Sequence, residues 1–206
     1  MARVTAEKVQ QTKDGLLDAA RSVLSTDGYS GISTRAVASE AGVPMSQIQY
    51  HFGSKQGLLL ALFEQQNAEL LARQNELLGD STLTLAEQWK RACDYLDDDL
   101  LSGYVRILNE LNVAGWSDPV IGSAVSTAMA GWHTLLTHAA QRASERLGGL
   151  GPFHPEDIAV LVSSAFLGAE INILSGHEQS QFPIRRALRR IGEVIERLEK
   201  STTEDR

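Results

Sequence analysis

Apolar residues recur along this chain with the three-to-four-residue period of an amphipathic helix, and no run alternates in the way a half-buried strand would. Val9, Leu16, Ala20, Val23 and Leu24 mark a first helix that stops at Asp27-Gly28. A short second helix around Ala36, Val37 and Ala41, capped by Ser33 or Thr34, ends at Gly42. A third begins beside Pro44, whose missing N–H is harmless in a first turn, and runs from Met45 to His51. Ser54 caps a long fourth helix through Leu58, Leu62, Phe63 and Leu71 to about Leu78.

Beyond Gly79-Asp80 the same period continues. Thr84-Leu-Ala-Glu87 has the spacing of a capping box and opens a helix through Trp89, Cys93 and Leu96 to about Leu101. Gly103 separates it from a helix spanning Tyr104 to Trp116, and Ser117-Asp118-Pro119 starts another that reaches about Leu147. The glycine- and proline-rich stretch from Gly148 to Pro155 is a loop. Two helices follow, Pro155 to about Ser175 and Pro183 to about Lys200, before a polar tail from Ser201 expected to fray. The expected architecture is all-α, about nine helices. A helix-turn-helix domain occupies residues 1–54 and a larger helical domain residues 55–206.

The length of 206 residues suffices for a sizeable core, and 43% hydrophobic with 22% charged residues is ordinary globular composition. Charge is distributed unevenly: the net −7 resolves into +1 over residues 1–56 and −8 over the rest, so the acidity belongs to the second part. Cys93 is the single cysteine, which excludes an internal disulfide and fits a reducing cytoplasm. No stretch approaches 18 uninterrupted apolar residues and no signal-like run follows the first charges, so neither secretion nor membrane spanning is expected. Metal-ligand spacings, phosphate loops and nucleophile motifs are missing, and the five histidines are scattered; an enzyme, a cofactor and a metal are not expected.

The helix, tight turn and helix between Thr34 and His51 place hydrogen-bonding groups and an aromatic ring on one short helix, as a major-groove reader requires. The pattern T-R-x-V-A-x-x-A-G-V-P followed by Q-I-Q-Y-H-F-x-S-K-x-x-L, over roughly residues 10–63, resembles the DNA-binding domain of the TetR family of transcriptional repressors. Residues 64–206 resemble that family only in helical layout. The resemblance implies a homodimer that binds a palindromic double-stranded operator and is released by a small-molecule effector. A ligand-independent regulator, or an activator, is the alternative.

Within the head, Ala38, Ala41, Val43, Ile48 and Phe52 read as packing. Ser46, Gln47 and Gln49 carry groups that can bond base edges, Gln to adenine in a bidentate way. Arg35 is placed to reach either a base or a phosphate. Thr34, Tyr50, His51 and Lys55 read as backbone contacts, the last two aided by the positive end of the fourth helix. The family commonly has an aromatic where this chain has Gln49, so operator preference cannot be copied from a relative.

The last two helices show broad apolar faces. Ile158, Leu161, Val162, Phe166 and Ile173 lie on one, and Ile184, Leu188, Ile191, Val194 and Leu198 on the other, as in the four-helix dimer interface of the family. Between head and bundle, polar-aromatic residues are candidates for an effector pocket: Trp89, Cys93, Tyr104, Asn109, Asn112, Trp116, Met129, Trp132, His133, Phe166 and Glu170. Plain core packing is the competing reading for the tryptophans, and a dimer-face polar network for Glu170.

Overall fold

In the computed structural model, residues 2–177 and 182–204 are described, and among them the chain forms nine α-helices. They are α1 (Ala2–Gly31), α2 (Thr34–Glu40), α3 (Ser46–Phe52), α4 (Lys55–Gly79), α5 (Leu85–Leu101), α6 (Tyr104–Gly115), α7 (Pro119–Leu147), α8 (Pro155–Leu174) and α9 (Ile184–Glu204). The chain divides into two compact units, one of Met1–Asn67 with Leu101–Val125, the other of Ala68–Leu100 with Ser126–Arg206. The first unit is therefore wider than a head ending at residue 54: it takes in the start of α4, all of α6 and the start of α7.

In the first unit, α1, α2 and α3 pack on one another around Leu16, Leu24, Ile32, Val37 and Ile48, all nearly inaccessible. The helical φ/ψ pattern of α1 breaks at Gly28 (φ 68°), as the Asp27-Gly28 stop anticipates, and the chain then makes one more turn to Gly31. Ser33 is the cap of α2: its hydroxyl accepts the Ala36 N–H at 3.1 Å. The end of α2 is a Schellman motif. Gly42 takes a positive φ of 65°, the Val43 N–H bonds the Ala38 carbonyl at 3.0 Å, and the Gly42 N–H bonds that of Ser39 at 3.2 Å.

Pro44 stands just before α3, and its carbonyl accepts the Gln47 N–H at 3.0 Å to start the first turn. Ser54 caps α4 through the Gly57 N–H at 2.9 Å. Gly57 has to be glycine: a Cβ there would meet the Phe52 carbonyl oxygen at 2.1 Å. The remaining segment is anchored by Tyr104, whose ring stacks on Phe63 at 5.7 Å and whose hydroxyl donates to Asn67 Oδ1 at 2.9 Å. Gly103, at φ 79°, sits so close to Leu24 that a Cβ would come within 2.6 Å of its side chain.

In the second unit, Cys93, Leu96, Phe166, Ala169 and Leu188 form a buried cluster, with Trp89, Trp132 and Ile173 packed around it. The capping box at Thr84 forms as spaced: Glu87 accepts the Thr84 N–H at 2.8 Å and the Thr84 hydroxyl accepts the Glu87 N–H at 3.1 Å. The same helix end receives a second cap from far along the chain. The Glu199 carboxylate accepts the Leu85 and Ala86 N–H groups at 2.8 and 3.2 Å, completing the first turn of α5 from α9. Trp89 adds a bond from its indole N–H to the Leu188 carbonyl at 2.7 Å.

One expectation fails here. The tail does not fray at Ser201; α9 continues to Glu204, with Thr202 Oγ1 donating to the Leu198 carbonyl at 2.9 Å.

Candidate functional site

Two places gather the residues singled out in the sequence, one in each unit. The first is the outer face of α3. Ile48, one helical face in from solvent, is fully buried and fixes the rotation of the helix. Ser46, Gln49 and Tyr50 follow the i, i+3, i+4 spacing on the opposite face and are exposed, with Tyr50 at 72% of its full accessibility. Gln47 and His51, four residues apart on the flank, are half-buried. The Tyr50 and His51 rings meet edge to face at 4.9 Å, an arrangement that steadies the exposed tyrosine against the half-buried histidine.

Around this face, Arg35 is exposed on the first turn of α2, while Thr34 beside it and Lys55 on the first turn of α4 are half-buried. Of the packing residues, Ala38 and Ile48 are buried and Ala41, Val43 and Phe52 half-buried. Met45, expected as the first residue of the third helix but not as a contact, is the N-cap of α3 and 54% exposed. A side chain there lies beside Ser46 and can meet a thymine methyl group. The turn offered the signal: a residue between Pro44 and the first helical residue has no core to enter.

The second place is a cavity of about 400 Å³ wholly within the second unit. Trp89, Trp132 and Phe166 supply its aromatic surface, with ring centroids 5.6 Å apart for Trp89 and Phe166 and 6.5 Å for Trp132 and Phe166. The rest is alanine, leucine, isoleucine and valine from α4, α5, α7, α8 and α9 and Leu150 from the loop between α7 and α8, with Gln74 and Gln88 as the polar lining. Gln88 is tied down, its amide donating to the Asp80 carbonyl at 2.8 Å. The volume lies in the range of small-molecule pockets, and the scarcity of polar groups selects an apolar occupant.

Only three of the eleven expected pocket residues line this cavity, and the others go elsewhere for identifiable reasons. Tyr104, Asn109, Asn112 and Trp116 belong to the first unit. There Tyr104 is used in packing, Asn109 donates to the Val105 carbonyl at 2.9 Å, Asn112 is half-buried on α6, and Trp116 is 84% exposed. Cys93 is buried in the adjacent cluster, where desolvation pushes its thiol up to about 11 and keeps it protonated. Met129 is half-buried on α7, and His133 is held by Ser163 at 2.9 Å. Ser163 donates to the Val160 carbonyl at 3.0 Å, so its oxygen accepts from the His133 ring. Glu170 is buried on α8, one turn beyond Phe166.

Gln74 and Gln88 were missed from the sequence. Their mark was a glutamine at a position where the helical period calls for an apolar residue.

Comparison with known proteins bears on the first region by family and on the whole chain by fold. Residues 16–62 match the model of the "Bacterial regulatory proteins, tetR family". The chain is 32% identical over 127 residues to the HTH-type transcriptional regulator CymR of Pseudomonas putida, covering 60% of each chain. It is 32% identical over 91 residues to the HTH-type transcriptional regulator AcrR of Shigella flexneri, covering 42% of each. The matched segments thus span less than two thirds of the length of these relatives.

Among solved structures, a transcriptional regulator from Saccharomonospora viridis in complex with choline superimposes with a TM-score of 0.71 at 21% identity, covering 89% of this chain and 96% of that one. The likeness extends the shared fold over both units. Residues 16–62, with their helix-turn-helix, are thus similar to the DNA-binding segment of the tetR family of bacterial regulatory proteins, and the helices behind them share the fold of a solved regulator.

Proposed function

We propose that the protein is a homodimeric transcriptional repressor, binding a two-fold DNA operator through α3 and released when an apolar small molecule occupies the cavity of the second unit. The observation that carries the reading is the outward face of α3, where Ser46, Gln49 and Tyr50 stand exposed on a helix whose rotation is fixed by buried Ile48. Base contacts belong to Ser46, Gln47 and Gln49, and phosphate contacts to Thr34, Tyr50, His51 and Lys55, with Arg35 able to serve either. One head gains ~1–3 kcal/mol per good base contact, so useful specificity needs two heads on half-sites one helical turn apart.

The dimer face is read from surface chemistry. Val160 and Ile171 on α8 and Val194 on α9 are exposed apolar side chains outside the cavity, and Leu161, Ile191 and Leu198, which line it, are exposed as well. By length and composition alone α8 could also cross a membrane. Its inner face, however, packs Phe166, Ala169 and buried Glu170 into the second unit, and a partner helix satisfies the outer one. The choline complex of the Saccharomonospora viridis regulator supports the view that this fold accommodates small molecules. Because α4 is one continuous helix from Lys55 to Gly79, it ties the recognition segment covalently to the cavity wall at Gln74 and Leu78.

Selection of bound duplexes from a random pool tests this directly. Recovery of a palindrome with half-sites one turn apart is the expected result; no enrichment at low ionic strength removes the proposal. A regulator without a ligand is the second reading. It gains ground if no compound that occupies the cavity changes operator affinity.

A further inference from the structure

Five helices enclose the cavity of the second unit but leave it a mouth. Leu161 on α8 and Ile191 and Leu198 on α9 line the space and are at the same time 53%, 39% and 49% exposed. A lining side chain that also meets solvent marks the rim of an opening, so the cavity gives onto the outside between α8 and α9. Trp89 and Trp132 on its inner wall are half-buried, as an open cavity leaves them. An apolar pocket open in this way keeps one flank of its ligand wet and forfeits part of the burial that would hold it.

The mouth lies in a longer apolar face. On α8, Val160, Ser164, Gly168 and Ile171 follow one another at intervals of four, four and three residues, and on α9, Ala187, Ile191, Val194 and Leu198 at four, three and four. None carries a charge, and all but half-buried Gly168 are exposed. This is the spacing by which one helix packs along another. Arg190, Glu193 and Arg197, exposed along the outer edge of the α9 strip, complete the apolar centre and charged rim that suit a protein partner. Only 28% of the apolar stretch of α8 is buried within the chain. Gly168 adds a sharper mark: a glycine inside a helix weakens it, and a Cβ here would meet nothing within 4 Å in the protomer. The chain gives up a side chain where its own fold has room for one, as it must where a second helix comes close from outside.

We propose that a second copy of the chain closes the mouth: its α8 and α9 lie across those of the first, so that each cavity is completed by the other protomer and neither is whole in the monomer. A second copy presents the same two strips with the same spacing, so two such faces are self-complementary about a two-fold axis. The inference rests on the reading of the chain as a homodimer with its effector site in this cavity, and it makes ligand binding and dimerisation one linked equilibrium. A ligand held partly by the partner binds the dimer more tightly than the monomer, and by reciprocity it tightens the dimer in turn.

The test uses the full chain, with N-phenylnaphthylamine, an uncharged apolar dye that brightens on leaving water, as the probe. Two variants are built to be monomers. Val194→Asp puts a charge in the α9 strip outside the cavity, and Gly168→Glu puts a charged side chain where the protomer has room and a second helix would not. Sedimentation reads the oligomeric state and circular dichroism the fold. The wild type should sediment as a dimer, and both variants as folded monomers that bind the dye at least about tenfold more weakly. Saturating dye should lower the wild-type dimer dissociation constant by at least about tenfold. A second readout needs no ligand: Trp116→Phe removes the one tryptophan outside the cavity, and in that background acrylamide should quench Trp89 and Trp132 less in the dimer than in the monomer obtained by dilution or by Val194→Asp.

Monomeric variants that bind the dye as tightly as the wild type, a wild type that stays monomeric at high concentration, or quenching equal in dimer and monomer overturns the proposal. Should the dye bind neither form, or the variants fail to fold, the quenching comparison decides alone. Operator affinity measured in parallel separates the two readings. A dye that prefers the dimer yet leaves operator affinity unchanged refutes the effector role and upholds the shared cavity. A dye that releases the operator but binds monomer and dimer alike does the reverse.

Discussion

The two candidate sites solve opposite problems with the same helical material. On α3 the polar side chains point away from the protein, and one buried isoleucine sets which way they face. In the cavity the side chains converge on a space that five helices enclose, and small residues such as Ala139, Ala140 and Ala143 create it by what they leave unfilled. An outward site is specified by a few residues close in sequence. An inward one depends on side chains drawn from positions 74 to 198, each of which has an ordinary packing role as well.

That contrast can be broken or sharpened by substitution, beginning with the largest effect. Gly57→Ala forces a methyl group against the Phe52 carbonyl and should destabilise the protein by about 3 kcal/mol, abolishing operator binding; urea unfolding measures the loss. Unchanged stability would show that the turn between α3 and α4 is softer than its geometry indicates. Next is Glu170→Gln. Because burial on folding raises this carboxyl from 4.5 to about 8, its contribution to stability is complete below the lower value and disappears as pH climbs through the upper one. The wild type should therefore lose stability across that interval while the variant stays level, as urea midpoints at successive pH values would reveal.

Gln47→Ala and Gln49→Ala come third, each costing ~1–3 kcal/mol at particular base pairs while leaving others alone; binding to an operator series with single-base changes reads this out. Ala143→Phe fills part of the cavity and should weaken the ligand response about tenfold, with operator affinity in its absence held constant. A ligand response that survives moves the effector site elsewhere. Lys55→Ala is the smallest: all sequences should weaken alike, and the salt slope should fall by about one.

Legibility in the sequence follows the same division. Caps, the break at Gly28 and the turn at Gly42-Pro44 depend on residues within four or five positions of one another, so helix order and most boundaries could be read directly. The end of α9 could not, because what extends it past Lys200 is ordinary helix continuation with Thr202 bonding back to Leu198, and a polar composition resembles a frayed tail. The face of α3 was legible because Ile48 sits between polar neighbours. The cavity was legible only in Trp89, Trp132 and Phe166. Aromatic and amide character alone could not separate those from Tyr104, which is consumed in stacking on Phe63, or from Trp116, which is exposed. Alanines that shape a void carry no chemical mark at all.

The contact of Gly103 with Leu24, and of Tyr104 with Phe63, has a practical bearing on chimaeras. A recognition domain transplanted between relatives by one splice inside α4 would arrive without the distant strip, Leu101–Val125, against which it is moulded. Residue 103 of the recipient would then have to suit a foreign Leu24 that it was never fitted to accept. Exchanging both segments together is the graft that keeps the donor's folding unit whole.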